Sequence, residues 1–482
     1  MKQEITNGRI GVIDALRGFA LLGVVLIHMQ QHYSLFSMGP FNEHTPILAQ
    51  FDDEIRWLTN NVLMGRFINI FAFLFGMSFF IQMDRAEKKG QKFHLRFFWR
   101  MVLLFGIGLV GTCFYRGDIL SLYAVYGVIL LLLNFCKKSW VLTLLASLIL
   151  LGGPKLSMHY YDKWTTPAEE VAAQQFPQFP FPMPNAEGGE FEWPVPAEGG
   201  EFEWPTPAEG GEFEWPAPAE GGDFDWAAAF GGGEANVEAD GERQAPQRPA
   251  FNFPNPNEPQ PRQTFGEYVR QNITTGPDSL IGYQFNMSNR GYITLAIFIF
   301  GLVVGRSRFF ESVGQRKRRN WILLAIFIAG TILFNKLSDL VAPEMTPMMW
   351  GAPSAASLLS TAFADTAMVL SSAALLIGFV ILYHTSAGGR VLGLLSPYGR
   401  MGLTNYLMQS VIGSILFGMW AFGKTFFAFG ATELLLLGLV VYVTQIVLST
   451  LWLRYFKYGP IEWFWRSATY FKVQPMLKKR DK

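Results

Sequence analysis

Residues 11–28 read GVIDALRGFALLGVVLIH, an apolar run that holds only three ionisable side chains, Asp14, Arg17 and His28. About 20 predominantly apolar residues are enough for a helix to cross the hydrocarbon core of a bilayer. The run is longer than the apolar region of a cleaved signal peptide, and it carries charges and lacks a clear small-residue cleavage site. We therefore interpret it as the first membrane span of the protein.

The remaining chain also has the composition of a membrane protein. Of its 482 residues, 50% are hydrophobic and 16% are charged, whereas a typical soluble domain has about 25% charged residues. Hydropathy predicts ten spans, near residues 10–30, 61–82, 97–115, 119–135, 139–156, 289–306, 320–341, 356–384, 401–421 and 431–454. The sequence thus predicts an all-α integral membrane protein with about ten transmembrane helices, and it excludes a soluble enzyme.

Lys and Arg residues indicate which side of the membrane each loop faces. They concentrate after the second, fourth, sixth and eighth spans and in the C-terminal tail, and such basic loops stay in the cytoplasm. Both termini are therefore predicted to be cytoplasmic, in a cell membrane whose lipid bilayer is the first partner. Because this rule accounts for the basic residues, no nucleic-acid ligand is expected.

One long segment, residues 157–288, separates an N-terminal half of five spans (1–156) from a C-terminal half of five spans (289–482). The segment holds 22 Asp and Glu but only 5 Lys and Arg, and residues 185–226 contain four 11-residue repeats such as PAEGGEFEWPT. Pro and Gly-Gly in the units block helix and discourage sheet. So acidic a segment buries too little apolar surface to fold, and we predict a disordered, extracytoplasmic insertion.

Neither a disulfide framework nor a metal site is predicted. Cys113 and Cys136 are the two cysteines, and the predicted spans place them about a bilayer thickness apart, beyond disulfide reach. His28 and His32 are four residues apart but lack the further ligands that a zinc site needs. The chain also has no phosphate-loop or dinucleotide fingerprint.

The ionisable residues of the first span form one stripe. Asp14 and Arg17 are three residues apart and can pair, and the path Arg17, Leu21, Val24, His28 follows one helix face. At 1.5 Å per residue, His28 lies about 16 Å along the helix from Arg17. The stripe predicts a site that binds an anionic carrier near Arg17 and performs chemistry near His28. The alternative is a helix-end ion pair and an interfacial imidazole.

Two other spans carry ionisable or amide side chains that can contact a substrate. Arg66 and Asn69 lie in the second span, where Arg66 either holds a carboxylate or phosphate or extends its head to the interface. Asp365 in the eighth span needs a partner within the membrane, for which we expect Lys336 or Arg66.

Further polar residues fit structural roles as well as binding. Asn405 and Gln409 form one stripe in the ninth span, and such amides hold helices together more often than they bind ligands. Asp118, in the turn before the fourth span, is expected to cap that helix. Glu462 and Arg466 in the tail are four residues apart and are expected to pair.

Several long motifs resemble one family of bacterial multi-pass membrane proteins. IDALRGFALLGVVLIH (13–28), FAFLFGMSF (71–79) and GDILSLYAVYG (117–127) are similar to the N-terminal pattern of the YeiB family. GRMGLTNYLMQSVIGSILF (399–417) and KYGPIEWFWRSATY (457–470) are similar to its C-terminal pattern, domain of unknown function 418. The resemblance covers about residues 1–156 and 289–482 and implies a multi-pass bacterial membrane protein.

The first span also resembles that of acyltransferase family 3 and of heparan-glucosaminide acetyltransferase-like membrane enzymes. Their first span carries an Arg, ten residues and then a His, which is taken as the catalytic feature. Arg17 and His28 match this spacing. The resemblance implies a membrane enzyme with acyl-CoA as co-substrate.

The leading hypothesis is a transmembrane acyltransferase. Cytoplasmic acyl-CoA would dock by its phosphates on basic stretches such as 85–100 or 316–319 and bind Arg17. His28 would act as the general base on an acceptor hydroxyl or amine, or as an acyl carrier, with Arg17 and Asp14 completing the catalytic set. The acceptor, an extracytoplasmic glycan or small molecule, would contact Arg66, Asn69, Asp365, Asn405 and Gln409. Two alternatives stay open: a small-molecule transporter or exporter, and a membrane anchor that displays the acidic repeat.

Overall fold

The computed structural model describes residues 11–34, 46–90, 93–165, 262–341 and 354–478. The regular structure in these ranges is helical, apart from one isolated bridge between Phe456 and Leu477. The α-helices are α1 (Gly11–Gln30), α2 (Pro46–Ala49), α3 (Asp52–Leu58), α4 (Arg66–Lys88), α5 (His94–Thr112), α6 (Leu120–Leu133), α7 (Ser139–Leu150), α8 (Gly153–Thr165), α9 (Phe265–Ile281), α10 (Arg290–Arg306), α11 (Phe309–Ser312), α12 (Lys317–Val341), α13 (Ala355–Tyr383), α14 (Ser386–Gly393), α15 (Ser396–Arg400), α16 (Gly402–Phe417), α17 (Gly423–Phe426), α18 (Ala431–Tyr455) and α19 (Pro460–Tyr470). Two π-helical segments are Thr59–Leu63 and Gly282–Met287.

Many of these helices have the length and composition of membrane spans. In the described ranges, six qualify: α1, the helix from Asp52 through α4 to Lys88, α5, α12, α13 and α18. The bent pairs α7–α8 (60°) and α9–α10 (73°) raise the number to eight if each pair is one span. An all-helical fold with the helices of a membrane protein is therefore confirmed, but length and composition support six to eight spans. Two of the ten predicted spans fall on the short helices α6, with 14 residues, and α16, with 16.

The edges of the predicted insertion are helical rather than disordered. The end of α8 and all of α9 lie within residues 157–288. A capping box begins α9, because the Thr264 hydroxyl accepts the Glu267 N–H while the Glu267 carboxylate accepts the Thr264 N–H. The Asn272 amide in α9 then donates to the Cys113 carbonyl after α5, at 3.1 Å. The T-x-x-E pattern at 264–267 was the sequence signal for this helix. The four acidic repeats lie outside the described residues.

Helix α1 lies at the centre of the bundle, in contact with α4, α13, α14, α15, α16 and α18. Two glycines permit its close contact with α15. A Cβ at Gly18 would overlap the Leu395 carbonyl oxygen, and a Cβ at Gly399 would overlap the Asp14 carbonyl oxygen. The Tyr442 hydroxyl of α18 also donates to the Gly18 carbonyl at 2.9 Å. Small residues and interhelical hydrogen bonds hold helices together in membranes, so the C-terminal half packs directly on α1.

Helices α4 and α10 run parallel and touch through glycines. A Cβ at Gly76 would overlap the Phe298 carbonyl oxygen, and a Cβ at Gly301 would overlap the Phe73 carbonyl oxygen. Both helices carry the same pattern here, FLFG at 73–76 and FIFG at 298–301.

The two helices also begin in the same way. Each follows a π-helical segment and then a residue with positive φ, Gly65 (77°) before α4 and Asn289 (52°) before α10. The first helical residue is an arginine in both, Arg66 and Arg290. The halves therefore share a short parallel repeat. Isolated π-helical turns occur frequently at functional sites. The starts of α4 and α10 are therefore candidate positions for a functional site.

Glu462 of α19 caps α16 instead of pairing with Arg466. Its carboxylate accepts the N–H groups of Leu403 and Thr404 at 2.7 and 3.0 Å and also the Thr404 hydroxyl. Arg466 lies over the Tyr458 ring, 4.9 Å from its centroid. The expected pair is replaced because the first turn of α16 offers unpaired N–H groups, with which a carboxylate forms favourable hydrogen bonds.

Candidate functional site

The two charged residues near the beginning of α1 pair as predicted. Arg17 Nη1 donates to Asp14 Oδ1 at 3.0 Å, and Nη2 donates to the Ser78 hydroxyl of α4 at 2.6 Å. The Arg17 side chain keeps 31% of its surface exposed, against 14% for Asp14. The guanidinium is therefore fixed on one side and accessible on the other, an arrangement suited to an anionic ligand.

At the other end of α1, aromatic rings surround His28. Its ring centroid lies 4.9 Å from that of Tyr115, 5.2 Å from that of Tyr33 and 6.5 Å from that of Tyr406. His28 retains 9% of its surface exposed. We call these four residues together with Asp118 the His28 cluster. It joins α1, the turn between α5 and α6, and α16, so both halves of the chain contribute to it.

Asp118, in that turn, is completely buried. Its Oδ1 accepts the N–H of Leu120, the first residue of α6, at 2.9 Å. Asp118 thus satisfies one unpaired N–H at the start of α6, as expected of a cap, although Ile119 occupies the N-cap position itself. The Tyr406 hydroxyl lies beside the carboxylate. Burial raises the pKa of Asp118 to about 7, near the operating pH that suits a general acid–base group. The sequence reasoning assigns Asp118 only a cap, and nothing distinguishes Tyr115 and Tyr406 from other core aromatic residues before the helices are assembled.

We expect Asp118→Asn to remove a pH-dependent part of the stability. The folded-state pKa of Asp118 lies above its unfolded value, so folding of the wild type is progressively disfavoured as pH rises from about 4 to about 7. Asn keeps an acceptor oxygen for the Leu120 N–H. The two proteins should melt at similar temperatures near about pH 4, and the variant should melt higher near about pH 8. Tryptophan fluorescence during heating measures this; an unchanged difference between the two pH values would contradict it.

Leu21 and Val24 separate Arg17 from His28 on the predicted stripe. Both are buried in the same apolar core, with 0% and 2% of their surface exposed. Indeed α1 is buried around most of its circumference. The path from Arg17 to His28 is therefore packed in this conformation, and a carrier that spans it requires the helices around α1 to move apart.

A second set of polar residues joins the starts of α4 and α10 to α13. Arg66 Nε donates to the Ser371 hydroxyl at 3.0 Å, and the Asn69 amide donates to the Ser372 hydroxyl at 3.1 Å. Arg290 Nη2 donates to the carbonyl of the residue before Arg66, at 3.4 Å. The two arginines of the repeat therefore lie at the same level of the bundle.

The partner of Asp365 differs from both residues expected. Its Oδ2 accepts a hydrogen bond from the Asn289 amide at 3.0 Å. The Arg290 guanidinium lies close enough for an electrostatic interaction with the Asp365 carboxyl group. Lys336 is exposed on α12, and Arg66 is bound to Ser371, six residues further along α13. The expectation of Lys336 or Arg66 is wrong because the contact of α10 with α13 was not apparent from hydropathy.

Lys155 of α8 completes this set. Its ammonium group donates a hydrogen bond to the Asn286 carbonyl at 3.0 Å and interacts electrostatically with the Asp365 carboxyl group. A small cavity of about 10 Å³, enough for about one water molecule, lies among Lys155, Asn289 and Asp365. We call the whole set the polar layer, which comprises Arg66, Asn69, Lys155, Asn289, Arg290 and Asp365.

A cavity of about 500 Å³ lies next to the polar layer, between α4, α7, α10, α12 and α13. Its wall is mostly apolar, with side chains such as Ile70, Phe327 and Ile377, while Asn69 and Ser372 are among its few polar residues. Ligand pockets have volumes of roughly 300–1,000 Å³ and combine apolar walls with a few polar groups. This cavity offers space for a ligand, whereas the His28 cluster is tightly packed.

Asn405 and Gln409 bind neighbouring helices. The Asn405 amide donates to the Tyr398 carbonyl at 3.1 Å and to the Ser449 hydroxyl at 3.0 Å. The Gln409 amide donates to the Tyr398 hydroxyl at 2.5 Å, and that hydroxyl donates to Gln445 at 2.9 Å. These contacts match the helix-holding alternative for the two amides and position α15, α16 and α18 against α1.

Part of the basic stretch 85–100 packs against the tail helix α19. The Arg100 guanidinium lies 4.1 Å from the centroid of the Trp465 ring, and that of Arg96 lies 5.3 Å from the centroid of the Tyr470 ring. Such contacts stabilise a desolvated guanidinium. These two arginines hold the tail helix in place, which removes them from the set expected to dock phosphates.

The ranges that the structure describes contain no group of three or more His, Cys, Asp or Glu side chains that could hold a metal ion.

Known proteins resemble this chain over its whole length and, more specifically, over its C-terminal part. Residues 304–472 match the family described as "Protein of unknown function (DUF418)". The "Uncharacterized protein YxaH" of Bacillus subtilis (strain 168) is 26% identical over 99% of this chain and 98% of its own length. The "Uncharacterized 39.9 kDa protein in amylase 3'region" of Bacillus acidopullulyticus is 26% identical over 98% of this chain and 97% of its own length.

A third relative matches more strongly over a shorter stretch. The "Uncharacterized protein YeiB" of Escherichia coli (strain K12) is 42% identical over 84 residues, which are 17% of this chain and 21% of that protein. The segment 304–472 carries α11 to α19. It therefore supplies Tyr406 to the His28 cluster and Asp365 to the polar layer.

Proposed function

We propose that the chain is a membrane acyltransferase whose C-terminal half, which contains the part similar to the DUF418 family, completes a site on α1. In this proposal an acyl group passes from cytoplasmic acyl-CoA to an extracytoplasmic glycan or small molecule. The His28 cluster carries the proposal: an imidazole on the central helix, three tyrosine rings around it and a buried carboxyl group in the same cluster.

The role assigned to His28 is general-base catalysis. Its imidazole removes the proton of the acceptor hydroxyl, whose oxygen attacks the carbonyl carbon of the thioester. The carbon–sulfur bond breaks, and CoA leaves as the thiol after the sulfur takes the proton from His28. Tyr115 and Tyr406 have hydroxyls that would stabilise the negative charge on the carbonyl oxygen, a contribution that is usually large. Asp118 would accept or donate a proton within the cluster, through the Tyr406 hydroxyl beside it.

Arg17 is assigned to the co-substrate. Its accessible guanidinium, fixed by Asp14 and Ser78, would bind an anionic group of acyl-CoA. The packed residues between Arg17 and His28 mean that the acyl arm reaches the imidazole only after α1 and its neighbours separate. Arg66, Asn69 and Asp365 are assigned to the acceptor in this proposal, and Asn405 and Gln409 to the support of Tyr398.

Binding of acetyl-CoA and palmitoyl-CoA to the detergent-purified full chain, measured by calorimetry, tests the proposal. We expect micromolar binding by the wild type and about tenfold or more weaker binding by Arg17→Ala, because a hydrogen bond to a charged group contributes about 1.5–3 kcal/mol. His28→Ala should bind as well as the wild type. Arg56→Ala is the matched control. Arg56 lies outside the His28 cluster and the polar layer, and 46% of its side chain is exposed.

Turnover separates binding from chemistry. With an acceptor present, release of the free CoA thiol should fall by about 10²–10⁴-fold in His28→Ala, the usual contribution of a general base, while its binding persists. Failure of a folded, monodisperse wild-type protein to bind any CoA species would overturn the proposal.

A small-molecule transporter is the second candidate. The bent pairs α7–α8 and α9–α10 and the internal cavity favour it, because discontinuous helices around an internal site are typical of transporters. Flux measurements in sealed vesicles, with the same variants, would distinguish transport from acyl transfer.

A further inference from the structure

The polar layer contains more positive than negative charge. Arg66, Lys155 and Arg290 are three cations, and Asp365 is the one carboxylate of the layer. Within the described part of the chain, none of the four belongs to an ion pair with an N···O distance of 4.0 Å or less. Charged side chains within a membrane are costly unless they are partnered. The excess of cations over carboxylates therefore favours an anionic ligand at this level.

The three cations are oriented by hydrogen bonds to uncharged oxygens, while Arg290 and Lys155 share electrostatic interactions with the single carboxylate, Asp365. Each donates a hydrogen bond to an uncharged oxygen: the Ser371 hydroxyl for Arg66, the Gly65 carbonyl for Arg290 and the Asn286 carbonyl for Lys155. A guanidinium has five N–H donors, so both arginines keep donors for a further acceptor. Glycine is favoured at position 65 because its φ is 77°, a backbone conformation that other residues rarely adopt.

The apolar cavity begins directly beside these cations. Ser371, which binds Arg66, is followed by Ser372, which lines the cavity together with Asn69. Leu150 lines both the large cavity and the small cavity next to Lys155. An anionic group on the polar layer is therefore adjacent to an apolar volume of about 500 Å³.

We propose that the polar layer and the cavity together bind an amphiphile with an anionic head group and one hydrocarbon chain. The head group contacts Arg66 and Arg290, whose planar guanidinium groups suit a carboxylate or a phosphate, and the chain fills the cavity. The short repeat explains why two arginines meet there, since each follows a π-helical segment and a residue with positive φ. The site includes Arg66 and Asn69, which the proposed function assigns to the acceptor, so the amphiphile is a candidate acceptor if that function holds. Its binding does not require acyl-CoA at Arg17.

Native mass spectrometry of the detergent-purified full chain tests this site by counting bound dodecyl phosphate, dodecanoate or dodecanol. We expect one bound molecule of an anionic probe and about tenfold or more weaker binding of uncharged dodecanol. Arg290→Gln and Arg66→Gln should each weaken the anionic probes about tenfold or more and leave dodecanol unchanged. Arg308→Gln is the matched control, since Arg308 pairs with Asp84 outside the layer at 2.6 Å.

A cavity variant and a comparison of the two anionic probes complete the test. Ala373→Phe places a ring in the cavity wall and should weaken all three probes, whatever the effect of the arginine variants on folding. A preference for dodecyl phosphate over dodecanoate assigns a phosphate head group, and the opposite preference assigns a carboxylate. Equal binding of dodecanol and the anionic probes would overturn the proposal, as would unchanged binding in Ala373→Phe. Because no CoA species is present, failure here leaves the acyltransferase proposal standing.

Discussion

Gly301→Leu prevents the protein from folding into its native bundle, and Gly301→Ala lowers its thermal stability. In both variants the added Cβ overlaps the Phe73 carbonyl oxygen at the contact of α10 with α4. Backbone atoms in two packed helices move only together, so the overlap separates the helices. Forcing one extra methyl group into a packed interior costs about 1–3 kcal/mol, and a leucine adds several more carbon atoms in the same place.

The control for this prediction is a helical glycine with space around it. A Cβ at Gly378 in α13 or at Gly106 in α5 would meet no heavy atom within 4 Å apart from its chain neighbours and the backbone of its own helix. Gly378→Ala and Gly106→Ala should leave the melting temperature unchanged or raise it, because Ala favours a helix interior by about 0.5–1 kcal/mol over Gly. Gel-filtration profile and melting temperature in detergent measure both series. Normal folding of Gly301→Leu would show that α4 and α10 do not meet at these residues.

Asp52→Ala destabilises the protein by about 3 kcal/mol, while Asp53→Ala changes its stability by less than about 0.5 kcal/mol. The difference arises because Asp52 is buried and caps α18. Its carboxylate accepts the N–H groups of Ala431 and Thr432 at 3.2 and 2.8 Å and the Thr432 hydroxyl at 2.7 Å. Removing the acceptor leaves buried donors at a helix start without partners, each at a cost of about 1–3 kcal/mol.

Asp53 provides a neighbouring control with the same charge. Its side chain is 96% exposed, and its ion pair with Arg56 has an N···O distance of 3.9 Å. Exposed ion pairs contribute about 0–1 kcal/mol. Chemical denaturation or thermal melting of the two variants in one detergent gives the comparison, and equal losses of stability would rule out the capping role of Asp52.

Features that depend on residues close in the chain were predictable. The apolar run at 11–28 predicts α1, the spacing of Asp14 and Arg17 predicts their ion pair, and the position of Asp118 before α6 predicts its cap. The capping box of α9 was equally local, and the acidic, Pro-rich character of the segment around it led to a wrong expectation of disorder at its two edges, residues 157–165 and 264–288. Local patterns determine helices because each hydrogen bond of a helix joins residues only four positions apart.

Features that join distant residues required the tertiary structure. Glu462 caps α16 instead of pairing with Arg466, Asp365 contacts Asn289 instead of Lys336, and Tyr406 reaches the His28 cluster from the other half of the chain.

The cavity beside Arg66 and Arg290 likewise exists only once α4, α10, α12 and α13 are assembled. Hydropathy shows that each helix is apolar but does not select its neighbours or its rotation. Contacts at single positions such as Gly76 and Gly301 make that selection. The sequence by itself therefore determined a helical membrane protein with charges on its first span, and the packing of glycine-lined helices decided where a ligand can bind.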